Sequence, residues 1–506
     1  MCGITGIYSA TPSYYGGIIK KMTSVLTHRG PDAHGYISLN SYNKAPILRP
    51  LNEPDKITAN MWIGHRRLSI IDLQGTAQPL SNENGTVWVV FNGEIYNYKE
   101  LAQELITKGH VLREKGDTEV LVHLWEEYSE KMTEKLVGMF AFAIYDCSKD
   151  TVFLVRDRFG QKPLYYSADD SRLIFASEIQ SFWQISDFNF EYDRIAVAQY
   201  FKYGYIPSPS TIYKNICSLQ AGHFLLKNAR ETKISEYWAP RVHGVENSAN
   251  LEQVQKLLDE SVKLRLIADV PLGAFLSGGI DSSLVVASMQ KQSLSPVRTF
   301  TISSDGSWFD ESAVARETAR FLGTDHTEIP IEPDFVSISE NLATNYGQPF
   351  ADHSSVSTYY VSRETRKFVT VALTGDGGDE IFAGYNGYTR ARMYRLASLI
   401  PYPLKKILAN FAVFLPHEKN APDHRKDAIL SSGSISFKGE NISVMFHNYW
   451  QDKAFQPELK RVACEEKQAE FDIFSKYYKK ALSPDPLDRW LEADQKMYLC
   501  DDILVK

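Results

Sequence analysis

Pro271-Leu272-Gly273-Ala274-Phe275-Leu276-Ser277-Gly278-Gly279-Ile280-Asp281-Ser282-Ser283 is a short apolar run, a glycine turn and the opening of a helix. Strand, tight turn and helix in that order begin a βαβ unit. The rhythm continues on both sides. Helix is predicted over 251–266, strand over 272–276, helix over 283–291, strand over 298–302, helix over 311–322 and strand over 369–373. Apolar strands alternating with helices predict a doubly wound parallel sheet. Ligands of such sheets sit at the carboxyl ends of the strands, so the loops after Leu276 and Leu373 are where a site belongs.

The first of those loops has the chemistry for it. Its glycines let backbone N–H groups turn toward an anion, and a helix N-terminus favours phosphate. Ser277, Ser282 and Ser283 supply hydroxyl donors, and Asp281 can hold Mg²⁺ together with phosphate oxygens. No Gly-Lys-Ser/Thr follows, so this is not a Walker A loop. A Ser- or Asp-capped turn would explain a helix start. It would not explain glycines, hydroxyls and an acid coinciding after an apolar strand. Thr374-Gly375-Asp376-Gly377-Gly378-Asp379-Glu380 ends the other strand with three glycines and three acids. It suits the second side of a metal–nucleotide site, with Asp379 as partner to Asp281.

The first two hundred residues or so read differently. Strand-like runs at 86–91, 140–145, 151–155 and 172–176 surround helical patterns at 98–108 and 118–128, which predicts a layered α+β domain. Prolines and serines in 203–210 mark a boundary, and 242–250 is a second weak spot. The expected organisation is a first domain over 1–210, a β-rich connector over 211–250 and the α/β domain over 251–506. The apolar stretch 396–416 is broken by prolines and lysines, which favours a helix pair over a membrane span. The polar stretch 415–441 reads as a surface insertion. In 494–506, Leu499, Ile503 and Leu504 at helical spacing read as the start of a helix.

Within the first domain, Cys2 becomes a thiol and a free α-amine on one residue once Met1 is removed. That pairs a nucleophile with a base of reference pKa ~8. Asn92-Gly93 follows an apolar strand, so the Asn side chain and the next N–H can form an oxyanion hole. The guanidinium forks of His65-Arg66-Arg67 suit a carboxylate, and Glu94 and Asp117 suit an ammonium. Each feature alone is weak: Asn-Gly is commonly a hairpin turn, and His28-Arg29-Gly30-Pro31-Asp32 is most simply a turn.

Composition narrows the class. The 506 residues are 43% hydrophobic and 23% charged with a net charge of −7, ordinary for a soluble multidomain protein and against a nucleic-acid partner. Cysteines 2, 147, 217, 464 and 500 show no paired spacing and read as reduced and cytoplasmic. No signal-peptide pattern opens the chain.

Met1-Cys2-Gly3-Ile4, His28–Asp32, His65–Asp72, Phe91–Asn97 and Arg156–Gly160 resemble the class II glutamine amidotransferase domain. Pro271–Ser283 resembles the pyrophosphate loop of the asparagine synthetases. The chain as a whole is similar to the bacterial type of glutamine-hydrolysing asparagine synthetase. The resemblance implies an N-terminal-nucleophile αββα sandwich followed by an α/β doubly wound ATP-pyrophosphatase domain. It implies Cys2 as nucleophile and Asn92 and Gly93 as oxyanion hole. Arg67, Leu68, Ile70, Asn92, Gly93, Glu94 and Asp117 would bind glutamine. Leu276, Ser277, Gly278, Gly279, Asp281, Ser282, Ile302, Thr374 and Gly375 would bind ATP, and Asp281 and Asp379 would carry Mg²⁺. Asp376, where relatives carry Glu, would face the acyl-adenylate.

The resemblance further implies glutamine, aspartate and ATP as substrates, ammonia passing through an internal channel, and no membrane or nucleic-acid partner. The oligomeric state stays open, a homodimer included. The match stops at Lys506 where relatives continue, so glutaminase chemistry is expected to survive more readily than synthesis. Two alternatives stay open: an amidotransferase acting on another carboxylate or sugar acceptor, or a protein keeping only glutaminase or nucleotide binding. Cys2 counts against a β-lactam-forming relative, which would have lost that nucleophile.

Overall fold

Two antiparallel sheets stacked face to face carry the first half of the chain. The computed structural model describes residues 1–41, 57–73, 77–242, 250–303, 310–332, 334–385 and 473–506, with the single positions 388, 401, 404 and 407. The stretches 396–416 and 415–441, most of 242–250, and Cys464 lie outside those residues almost entirely.

The first sheet contains β1 (Gly3–Ser13), β2 (Ala33–Leu39), β3 (Ala59–Arg67), β8 (Tyr165–Ala168), β9 (Arg172–Ala176) and β10 (Cys217–Ser218), in the order β10-β8-β9-β1-β3-β2. The second contains β4 (Leu80–Ser81), β5 (Val87–Ile95), β6 (Gly138–Asp146), β7 (Thr151–Arg156), β11 (His223–Lys227) and β12 (Thr232–Glu236), in the order β12-β11-β7-β6-β5-β4. Period-two alternation decides the layering. Trp88 and Val90 of β5 point inward to meet Ile4, Tyr8 and Ile63 of the other sheet. Val87, Val89 and Phe91 point outward, against α2 (Tyr98–Thr107) and α3 (Glu119–Tyr128). On the far side α1 (Gly16–Ser24) buries Ile19 and Met22 against Ile7 and Trp62. The result is the expected αββα sandwich, with the short α4 (Met132–Lys135) leading into β6.

The stretch expected as a connector is part of this sandwich. β10 extends one sheet and β11–β12 the other, because Phe224 and Leu225 are buried in the two apolar layers. Helix α5 (Arg194–Tyr203), capped by Asp193 and closed by Gly204, precedes them.

The second half follows α6 (Leu251–Arg265). Strands β13 (Leu272–Phe275), β14 (Arg298–Ser303), β15 (Asp325–Pro330) and β16 (Val371–Leu373) form an all-parallel sheet ordered β15-β14-β13-β16. Helices α7 (Ile280–Gln292), α8 (Ser312–Leu322), α9 (Phe335–Tyr346) and α10 (Ser354–Thr365) connect them, and the short α11 (Gly378–Phe382) follows β16. The strand order reverses between β13 and β16, so the crevice of this sheet opens at their carboxyl ends. β15 was not legible from sequence: Asp325, His326 and Glu328 break its apolar pattern. Among the described residues it pairs only with β14, and charged side chains suit an edge.

The chain closes with α12 (Ile473–Lys480), α13 (Pro486–Lys496) and α14 (Tyr498–Asp501). The element expected from 494 is helical but broken. Met497, at φ −127° and ψ −69°, interrupts it, and residues Ile503–Val505 make only a 3₁₀ turn. The two halves are joined directly. Ser208 N–H donates to Asp501 Oδ2 (2.8 Å), Asp72 N–H to Asp269 Oδ2 (2.8 Å) and Gln220 Nε2 to Tyr477 Oη (2.9 Å). Tyr203 and Tyr205 pack with Phe474, Trp490 and Met497 in one apolar cluster. No helix among the described residues is long and apolar enough to cross a membrane.

Candidate active site

Cys2 precedes β1, the central strand beside β3, and this places its thiol at the end of the sandwich. The pairing Gly3↔Arg66 brings the Arg67–Leu68 backbone alongside. Leu68 N–H reaches Cys2 Sγ at 3.4 Å, and Arg29 Nε donates to the Cys2 carbonyl at 2.9 Å. Arg29 is held by Glu178 at 2.7 Å. The turn at His28–Asp32 therefore positions Cys2, a role its sequence did not reveal.

A cavity of about 310 Å³ opens at Cys2. Arg67, Leu68, Ile70, Asn92, Gly93, Glu94 and Asp117 all line it, although they come from three separate segments. Gln78, Met139, Thr118 and Lys162 join them, as do Thr370, Val371 and Ala372 at the start of β16. The second domain thus walls the first domain's cavity. Lys162 was missed because its position depends on a loop. Asp157 accepts N–H bonds from Phe159, Gln161 and Lys162, while Arg156 donates to the Gly160 and Lys162 carbonyls. Arg156–Gly160 thereby folds into the turn that aims Lys162 inward.

The cavity's polar groups are desolvated and only partly satisfied. Asn92 is fully buried, and neither its Nδ2 nor its Oδ1 has a hydrogen-bond partner. Buried amides are ordinarily paired, so this one is poised for something that enters the cavity. Glu94 Oε1 is likewise buried and unpartnered. Burial pushes the Glu94 carboxyl above its ordinary value, with Lys162 opposing. Burial, reinforced by Glu94 and opposed by the Ile95 N–H bond, pushes Asp117 up to about 7. Burial raises the Cys2 thiol too, against the Leu68 contact and nearby positive charge. The chain's terminal amine is pulled down to about 5 by burial and then by Arg29. Arg67 is engaged with the Asp72 carbonyl at 2.6 Å. Together these groups can deliver a thiol nucleophile, a neutral amine base and an oxyanion donor to one enclosed carbonyl.

The second constellation sits at the crevice between β13 and β16. Gly278 has φ +85°, a left-handed turn that glycine adopts without strain, and α7 starts at Ile280 with no side chain capping its N–H groups. Ser277 Oγ and Ser282 Oγ are 3.0 Å apart, and Gly279 N–H donates to Ser277 Oγ at 3.2 Å. The Thr374–Glu380 loop presses against this turn: a Cβ on Gly378 would lie 2.5 Å from Asp281 Cγ. Burial and then the charge of Asp281 raise the Asp379 carboxyl. Two mutually repelling carboxylates beside free helix N–H groups fit a hard divalent cation with phosphate. Asp376 is exposed and accepts from Thr374 Oγ1 at 2.8 Å. Leu276 is fully buried in the core behind the turn, so only its backbone reaches the crevice. Ile302 is partly buried at the carboxyl end of β14.

A second cavity of about 280 Å³ is lined by Met1 and Lys162 of the first domain and by Thr374 and Asp376 of the second. Tyr346, Phe350, Asp501 and Ile503 contribute to its wall.

The chain's similarities follow the same division. The family profile for the glutamine amidotransferase domain matches residues 54–238, and that for asparagine synthase matches residues 253–506. Asparagine synthetase [glutamine-hydrolyzing] 1 of Bacillus subtilis (strain 168) is 31% identical over 517 positions, covering 100% of this chain and 77% of the relative. A putative asparagine synthetase [glutamine-hydrolyzing] 2 of Methanocaldococcus jannaschii is 36% identical over 445 positions, covering 81% of this chain and 82% of the relative.

Proposed function

The chain belongs to the asparagine synthase family, and we infer that it is a ligase that converts aspartate, ATP and glutamine-derived ammonia into asparagine, AMP and pyrophosphate. The observation that carries the residue assignment is the buried, partnerless Asn92 amide in the same cavity as the Cys2 thiol.

In this scheme Met1 is removed and Cys2 gains its own amine. The pKa of the Met1 amine in this corner is lowered to about 5 by burial and then by Arg29, and in the scheme the Cys2 amine is likewise neutral and serves as the base. The thiol stays protonated until the glutamine amide arrives. The amine then takes its proton as the S–C bond forms. Asn92 Nδ2 and Gly93 N–H hold the oxyanion. The C–N bond breaks, ammonia leaves with the proton from the amine, and water hydrolyses the thioester. Arg67 holds the glutamine carboxylate; Glu94 and Asp117 hold its ammonium.

We read the second cavity as the route that ammonia takes between the sites. Met1 and Lys162 border both cavities, so removal of Met1 would enlarge the space they share. In the second domain Ser277–Ser282 and the α7 N-terminus would grip the pyrophosphate portion of ATP. The aspartate side chain attacks the α-phosphate, pyrophosphate departs, and ammonia displaces AMP. Asp281 and Asp379 would hold Mg²⁺, which when bound offsets phosphate charge. Asp376 lies on the loop facing the adenylate. We place this chemistry in the cytoplasm, and the oligomeric state, a homodimer included, is left to measurement.

The test is intact-mass analysis of active protein treated with a glutamine-mimicking electrophile. The expected result is a chain lacking Met1 with a single adduct on Cys2. Retained methionine in active protein, or an unlabelled Cys2, would overturn the scheme.

A further inference from the structure

On the outer helical layer of the first domain, apart from both sites, three ligand-type atoms converge. His110 Nδ1 and His123 Nδ1 lie 3.2 Å apart. Glu126 Oε2 is 2.8 Å from His123 Nδ1 and 3.7 Å from His110 Nδ1. His123 and Glu126 stand three residues apart on α3. His110 follows α2, where its N–H bonds the Leu105 carbonyl at 3.1 Å. His123 is fully buried, while the side chains of His110 and Glu126 are 14% and 25% exposed. The triangle is therefore closed on one side and open to solvent on the other.

The far nitrogens of both rings face carboxylates. His110 Nε2 is 3.0 Å from Glu127 Oε1, and His123 Nε2 is 3.8 Å from Glu119 Oε1 with no closer partner. Glu127 keeps the proton of His110 on Nε2 and leaves its Nδ1 a lone pair, the arrangement found behind metal-bound histidines. In the metal-free chain a proton on His123 Nδ1 bonds Glu126 at 2.8 Å, and a metal ion held by the three groups would take that proton's place.

Size and donor type choose the cation. Ligands ~2.1 Å from a tetrahedral zinc ion lie about 3.4 Å from one another. The three separations of 2.8, 3.2 and 3.7 Å bracket that value. Two imidazoles with one carboxylate suit zinc and its neighbours rather than Mg²⁺ or Ca²⁺, which take oxygen ligands.

We propose that His110, His123 and Glu126 bind one zinc-class divalent ion, with its fourth position open to water. The ion clamps the turn after α2 onto α3. Glu119, behind His123, also accepts the Arg113 and Glu114 N–H groups at 2.7 and 2.6 Å. The clamp therefore braces the loop that ends in Asp117 and Thr118 at the first cavity.

The experiment titrates chelator-treated full-length protein with Co²⁺, followed by its visible absorption, and with Zn²⁺ by equilibrium dialysis. One ion per chain is expected, with tetrahedral d–d bands and no thiolate-to-cobalt charge transfer, which would report Cys2 instead. His110→Gln and Glu126→Gln, both at partly exposed positions, should each weaken binding at least ~10-fold. Zn²⁺ should raise the melting temperature of the parent chain and not that of folded His110→Gln. No stoichiometric binding, binding unchanged in both variants, or a thiolate band would overturn the proposal; the first of these would mean that a proton alone holds the three groups together.

Discussion

The two constellations are built by opposite means. Around Cys2 the working groups are buried: Asn92, Glu94 and Asp117 are at most 7% exposed, and two of them carry unpartnered atoms. Around Ser277–Ser282 the loops are open: Ser277, Thr374 and Asp376 are exposed, and no side chain caps the first N–H groups of α7. The contrast follows from the chemistry. An oxyanion is stabilised by donors already fixed in a dry site. A polyphosphate brings its own charge and is gripped by a turn and a helix end. One site is finished before its substrate arrives, and the other is completed by its substrate.

The largest expected effect separates the two. Cys2→Ala should lower glutamine-dependent asparagine formation by ~10³-fold or more while leaving ammonium-dependent formation intact. Comparable loss with both nitrogen sources would show that the division of labour is wrong. Asn92→Ala comes next. It should cut kcat for glutamine hydrolysis by ~10²–10³-fold with little change in KM, measured as glutamate release. A KM effect alone would make Asn92 a binding residue and not a stabiliser of the transition state. On the other side, Asp379→Asn should reduce ATP-dependent pyrophosphate release by ~10²-fold and spare glutamine hydrolysis.

A pH profile sharpens the first site. The Asp117 carboxyl is raised to about 7, so it is mostly neutral below that pH and charged above it. Only the charged form attracts the glutamine ammonium, so KM for glutamine should fall ~10-fold between pH 6 and pH 8. Asp117→Asn should flatten that dependence; a profile unchanged in the variant would remove Asp117 from substrate binding. The smallest effect tests loop contact at the open site. A Cβ on Gly375 would lie 2.7 Å from Ser282 N and 2.9 Å from the Asp281 carbonyl carbon. Gly375→Ala should therefore cost ~1–3 kcal/mol of stability, read from denaturant unfolding, and raise KM for ATP.

What could be read in advance differs between the two sites in the same way. The phosphate turn is contiguous, so Ser277, Gly278, Gly279, Asp281 and Ser282 announce themselves in a single line of residues. A layered α+β first domain was legible from β-branched and aromatic runs such as those of β5 and β6, and the αββα sandwich through resemblance. The cavity at Cys2 was legible only through resemblance, because its residues lie far apart along the chain. Arg29 and Lys162 gave no signal: each is an ordinary basic residue until the fold buries it. β15 and the broken helix at Met497 escaped because edge pairing and tertiary packing overrode local pattern.

By itself the sequence determined many of the elements, the parallel character of the second half's sheet and the chemistry of its glycine loops, since these depend on neighbours along the chain. Only the tertiary structure decided that β16 walls the cavity at Cys2, that Asn92 is left without a partner, and that His110 meets His123 and Glu126. Those facts depend on which distant segments exclude water together, and burial of that kind belongs to the packed molecule as a whole.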